Sequence, residues 1–165
     1  MKIYQDLTEA LKDIDWQGKG HRSPFEVVHN KNHRGIRERE VVNFFSQEFG
    51  PWIMKSRLEQ VRGKEYMGNV ARILWELIKN AEYESKQGQS FIGEIYVGNK
   101  GCLLGTVQQA RFLDDSEIEL LTRYQEPVNS TKPGDHQGGS GTRIILEECK
   151  GILILKRKKS IYVSI

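Results

Sequence analysis

The chain has 165 residues, 38% hydrophobic and 28% charged, with a net charge of +3. That is the composition of a folded globular domain with a proper core, and it excludes a disordered or fibrous chain. So small a positive excess gives no ground for a nucleic-acid binder, and no stretch approaches the ~20 apolar residues of a membrane span. The charged start, from Lys2 and Asp6 onward, holds no apolar signal core. Cys102 and Cys149 lack CxxC spacing, so they mark neither a metal site nor a disulfide framework and suit a reducing compartment. The expectation is one cytoplasmic domain over residues 1–165 that binds neither nucleic acid nor membrane.

In chain order, Tyr4 to Ile14 reads as a short amphipathic helix, with Leu7, Leu11 and Ile14 at helical spacing. Gln17 to Ser23 is polar and glycine-bearing, and reads as a loop. Phe25 to His29 suits a short strand. Ile36 to Phe49 reads as a helix with Val41, Phe44, Phe45 and Phe49 on one side, ended by Gly50-Pro51. From about Lys64 to Ser85, Met67, Val70, Ile73, Leu74, Leu77 and Ile78 recur at steps of three and four, which predicts a long helix with one buried face. Phe91 to Val97 and Cys102 to Val107 read as two strands of a hairpin around Gly98-Asn99-Lys100-Gly101. Asp114 or Asp115 can cap a helix carrying Ile118, Leu120 and Leu121. A Pro-, Gly- and Ser-rich loop follows from Glu126 to Gly139, then a helix over Thr142 to Cys149, and finally strands over Ile152–Leu155 and Ile161–Ile165. The intervening Lys156-Arg157-Lys158-Lys159 reads as a solvated hairpin turn. The predicted fold class is α+β: a two-layer sandwich, helices on one face of a mostly antiparallel mixed sheet.

Two features carry chemistry. Glu76 and Asn80 lie four apart on the long helix and so share a face. A carboxylate beside a carboxamide can orient a water and ligate a hard cation through oxygen; a solvated polar stripe is the plainer reading. Gly138-Gly139-Ser140-Gly141-Thr142 closes the polar loop and opens a helix. Glycines there let backbone N–H groups approach a phosphate, and the helix N-terminus adds favourable partial charge; a flexible hinge with a Ser or Thr cap is the plainer reading. His29, His33 and His136 read as ordinary surface histidines.

Taken together, Glu76-Leu-Ile-Lys-Asn80-Ala81 resembles the N-box of GHKL ATPases, the group that includes histidine kinases and anti-sigma serine kinases. Gly138-Gly139-Ser140-Gly141 resembles the second glycine box of histidine kinases, and the resemblance spans roughly Met67 to Ile165. It implies a Bergerat-like fold over residues 64–165, with an ATP lid at about residues 126–140 that contains Lys132. It further implies ATP and Mg²⁺ as cofactors. Asn80 would be the metal ligand, Glu76 the catalytic residue that orients or activates the attacking group, and Gly138, Gly139, Gly141 and Thr142 the phosphate-binding residues. Residues 1–63 show no family motif and read either as a homodimerisation element or as cover for the sheet.

The adenine-reading Asp-x-Gly-x-Gly motif is missing. Two segments can stand in its place: Asn99-Lys100-Gly101, 19 residues after Asn80 (99 − 80), or Gln108-Gln109-Ala110, 28 residues after it (108 − 80). The group needs two strands before the motif, which favours Gln108. A Gln accepts through its carbonyl oxygen but brings a donor amide that must be turned away. The lost charged partner weakens adenine binding by about 1.5–3 kcal/mol. Two functions follow as expectations: an ATP-dependent enzyme of stand-alone serine-kinase type, or a regulatory protein that keeps the fold, binds a protein partner and has lost catalysis.

Overall fold

The computed structural model describes residues 1–26, 58–85, 89–108, 112–126 and 140–165, with isolated positions 43, 46, 47 and 51. Most of the helix expected over Ile36 to Phe49, His29, His33, His136, Gly138, Gly139 and nearly all of the expected lid lie outside the described residues.

Among the described residues the elements are β1 (Lys2–Ile3), α1 (Leu7–Asp13), β2 (Trp16–Glu26), α2 (Leu58–Arg62), α3 (Lys64–Glu84), β3 (Ser90–Gly98) and β4 (Cys102–Val107). After these come α4 (Asp115–Glu119), which runs on as a π-turn over Leu120–Tyr124, then α5 (Ser140–Glu148), β5 (Gly151–Leu155) and β6 (Ser160–Ser164). The strands form one sheet in the order β1-β5-β6-β4-β3-β2. Every neighbouring pair is antiparallel except β1 with β5, which is parallel. The protein is therefore α+β with a mixed, mostly antiparallel sheet.

Side-chain alternation divides the sheet into two faces. On one face Phe91, Ile95, Val97, Cys102, Leu104, Ile152 and Val163 pack under the helices. The apolar stripe of α3 meets them: Val70, Ile73, Leu74, Leu77, Ile78 and Ala81 are all buried. Each of the larger side chains contributes about 1.5–3 kcal/mol by leaving water. Ser85 ends α3 in extended conformation, and its hydroxyl bonds back to the Ala81 carbonyl at 2.7 Å. On the other face Leu103, Leu153 and Tyr162 join Tyr4, Ala10 and Ile14, so α1 covers part of the sheet opposite the main helix layer, where the expectation had helices on one face alone.

The hairpin of β3 and β4, the long helix, the glycine-led helix and the final hairpin stand where the hydrophobic pattern puts them. Asp114 is the cap of α4, in a reciprocal capping box with Glu117. The basic run forms a 3₁₀ turn over Lys156–Lys158, with Lys159 in the left-handed region at φ 48°. Residues 17–23 are different: the expected loop is the middle of β2, an edge strand of 11 residues paired along β3. Gly18, Gly20 and Pro24 hide it from a periodicity reading. An edge strand tolerates them, since one side of its backbone makes no ladder bonds. The short strand expected over Phe25 to His29 starts within this same β2.

Candidate functional site

The two helices of the main layer run in opposite directions. At the start of α3, Tyr66 donates to the Ile165 carbonyl at 2.9 Å, and Arg62 just before it donates to the Lys100 carbonyl at 2.7 Å. The end of α5 reaches the same end of the sheet, where the Lys150 N–H donates to the Ser164 carbonyl at 2.9 Å. The C-terminal part of α3 and the N-terminus of α5 therefore share the opposite end.

An ion pair between Arg72 of α3 and Glu148 of α5 sets their register. From Arg72, positions 76 and 80 follow at four-residue steps, each turned about 40° further around the helix. Asn80 is eight residues beyond Arg72 (80 − 72), about 12 Å at 1.5 Å per residue. Gly141 is seven residues before Glu148 (148 − 141), about 10.5 Å along its own axis. By these rises Asn80 and the first turn of α5 both lie toward the same end of the helix pair.

Glu76 lies between these two points and is buried, at 8% exposure. Both of its carboxylate oxygens lie 3.2 Å from the Lys79 ammonium. Asn80 is half-buried, and its side-chain amide makes no hydrogen bond among the described residues. Thr142 is half-buried in the first turn of α5.

Gln108 directly follows β4. Its parity is that of Cys102 and Leu104, which face the helices. The Gln108 N–H donates to the Lys159 carbonyl at 3.0 Å, which ties the end of β4 to the basic turn between β5 and β6. Lys156 in that turn pairs with Asp115 at the start of α4. Gln108, Asn80, Gly141 and Thr142 accordingly share one end of the sheet. Asn99 is at the other end, in the exposed turn between β3 and β4, where its amide donates to Asp15 at 3.0 Å.

No family model and no curated protein matches this chain.

Sequence reading passed over several groups that the fold places at or near this end. Lys79 was legible as the third residue after Glu76, and Arg72 as the fourth before it. Glu148 was not: one of its oxygens, Oε2, is buried and has no hydrogen-bond partner among the described residues. On the opposite face, Glu94 is buried and accepts from Tyr162 at 2.7 Å and Tyr96 at 3.0 Å, with Arg22 of β2 at 2.5 Å. Burial pushes the Tyr96 phenol up to about 12 and the Tyr162 phenol higher still, and the facing Glu94 acts in the same direction. This network was invisible while residues 17–23 read as a loop. Cys102 and Cys149 are free, buried thiols, each pushed up to about 12 by burial. Among the described residues no three His, Cys, Asp or Glu side chains cluster as a metal site, and no helix is long and apolar enough to cross a membrane.

Proposed function

We propose that the chain is a nucleotide-binding domain of GHKL type, with a Bergerat-like two-layer sandwich, that takes ATP with Mg²⁺ between α3 and α5. What supports this reading is that Asn80, late in α3, and the N-terminus of α5 lie toward the same end of the helix pair, the end of the sheet where Gln108 follows β4. A half-buried carboxamide that makes no hydrogen bond among the described residues, toward the end of the helix pair where a nine-residue helix begins, suits a phosphate-bound hard cation. Mg²⁺ keeps several waters and shares phosphate oxygens, so one protein oxygen from Asn80 is a sufficient anchor. Gly141 and the Thr142 hydroxyl would hold the phosphates, along with Gly138 and Gly139 of the same motif. Gln108 would accept from the adenine amino group. Bound Mg²⁺ would supply charge neutralisation at the phosphates; the residues of this chain bind and orient.

A second reading, a regulatory protein that binds nucleotide and a protein partner without turnover, draws on a separate observation. Glu76, the residue that the resemblance would have activate an attacking group, is held through both oxygens by Lys79. A carboxylate so engaged is a poor base until the lysine moves.

A thermal-shift titration separates binding from its absence. A ligand at about 100 times its Kd stabilises the folded state by about 2.7 kcal/mol, so a non-hydrolysable ATP analogue with Mg²⁺ raises the melting temperature by several degrees. No shift at millimolar analogue overturns the nucleotide reading. Phosphate release from ATP then decides between turnover and binding alone.

A further inference from the structure

The nucleotide reading gives Lys79 no contact with the ligand, yet it pairs with the residue on which catalysis would depend. Its ammonium bridges both oxygens of Glu76 at 3.2 Å. The Glu76 side chain is 10% exposed and that of Lys79 is 35% exposed, so the acid is fixed in the protein while the lysine keeps access to water. Glu76 lies between Lys79 and Asn80 around the helix, with all three in the C-terminal half of α3, toward the end of the helix pair where α5 begins. A flexible four-carbon stem carries the ammonium, which can swing without moving the helix.

We propose that Lys79 is a positioning residue that exchanges partners. In the ligand-free protein it holds the Glu76 carboxylate. When a polyphosphate enters between Asn80 and α5, Lys79 turns to the phosphate oxygens and Glu76 is freed to orient a water. The inference rests on the nucleotide reading and deepens it. Electrostatics drives the exchange: a triphosphate presents several negative charges against one on Glu76, and the lysine loses little solvation in moving between them. The protein then holds Glu76 closed until a ligand with enough phosphate charge arrives, so the site discriminates by phosphate number.

The test is calorimetric titration of the full chain with two probes, AMP and a non-hydrolysable ATP analogue with Mg²⁺. The variants are Lys79→Met, Lys79→Arg and Glu76→Gln. For Lys79→Met, analogue affinity falls about tenfold or more while AMP affinity stays within twofold. Lys79→Arg keeps the charge and restores most of the loss. Glu76→Gln releases the lysine and tightens analogue binding severalfold, and the gain disappears in the Glu76→Gln/Lys79→Met double variant. That double variant also removes the buried acid left without a partner, so a folding defect of Lys79→Met alone does not hide the answer. Analogue affinity unchanged in Lys79→Met, or a Glu76→Gln gain that survives in the double variant, beside loss in Asn80→Ala, overturns the exchange and leaves the nucleotide reading standing. Wild-type protein that binds neither probe overturns both.

Discussion

Breaking the Arg72–Glu148 pair tests the helix register on which the site depends. The Arg72 side chain is 50% exposed and that of Glu148 is 19% exposed. Removing the arginine leaves a mostly buried carboxylate whose Oε2 already lacks a partner among the described residues. Exposed pairs contribute about 0.2–1 kcal/mol, while removing one partner of a fully buried pair costs about 3–5 kcal/mol. This pair falls between, so Arg72→Ala is expected to destabilise by about 1–2 kcal/mol. For a domain of this size that lowers the melting temperature by roughly 3–6 °C. Glu148→Gln is the informative partner. It leaves only a half-exposed arginine, which water solvates, and it removes the charge from the unsatisfied oxygen. Its cost is expected to stay under about 0.5 kcal/mol. Urea denaturation of the two variants gives both values, and hydrogen exchange gives local opening, which rises first in α5 for Arg72→Ala. The reasoning fails if Glu148→Gln destabilises as much as Arg72→Ala, or if exchange in α5 does not change.

Three further outcomes follow from the same structure. A Cβ at Gly105 would overlap the Tyr162 ring, so Gly105→Ala displaces the ring, breaks its bond to Glu94 and is expected to cost about 2–4 kcal/mol by denaturant titration. Tyr4 and Tyr96 are pushed up to about 12 from an ordinary 10, and Cys102 and Cys149 to about 12 from an ordinary 9, chiefly by burial. Folding therefore favours their protonated forms. Stability is fully present below about pH 9, falls as pH rises from there through 12, and phenolate absorbance should grow together with unfolding. Gln108→Asp restores a charged acceptor at the end of β4, and calorimetry should show ATP-analogue affinity rising roughly tenfold.

Most of the helix layer was legible because its signals are local. α3 carries its apolar residues at a strict helical period, Asp114 and Glu117 form a capping box, and the turn between β3 and β4 has the glycines it needs. β2 was not legible. Its outward row holds Gly20, Arg22 and Pro24, and its pairing is set by β3, some seventy residues on. The two-residue β1 is too short for any period and owes its place to parallel bonding with β5. At the candidate site, Glu76 and Asn80 could be read as one face of a helix. Their placement relative to α5 could not, because it depends on contacts between distant residues such as Arg72 and Glu148. Nor could sequence reveal that Glu76 is engaged by Lys79, since only burial turns an ordinary three-residue spacing into a held carboxylate.

The central claim is that Asn80, the N-terminus of α5 and Gln108 form one nucleotide site. Calorimetric titration with a non-hydrolysable ATP analogue and Mg²⁺, run on the wild-type chain and on Asn80→Ala, tests it directly. The account predicts micromolar binding to the wild type, lost in the variant and lost when Mg²⁺ is chelated. Absence of heat up to millimolar analogue, or binding that Asn80→Ala leaves intact, would contradict it.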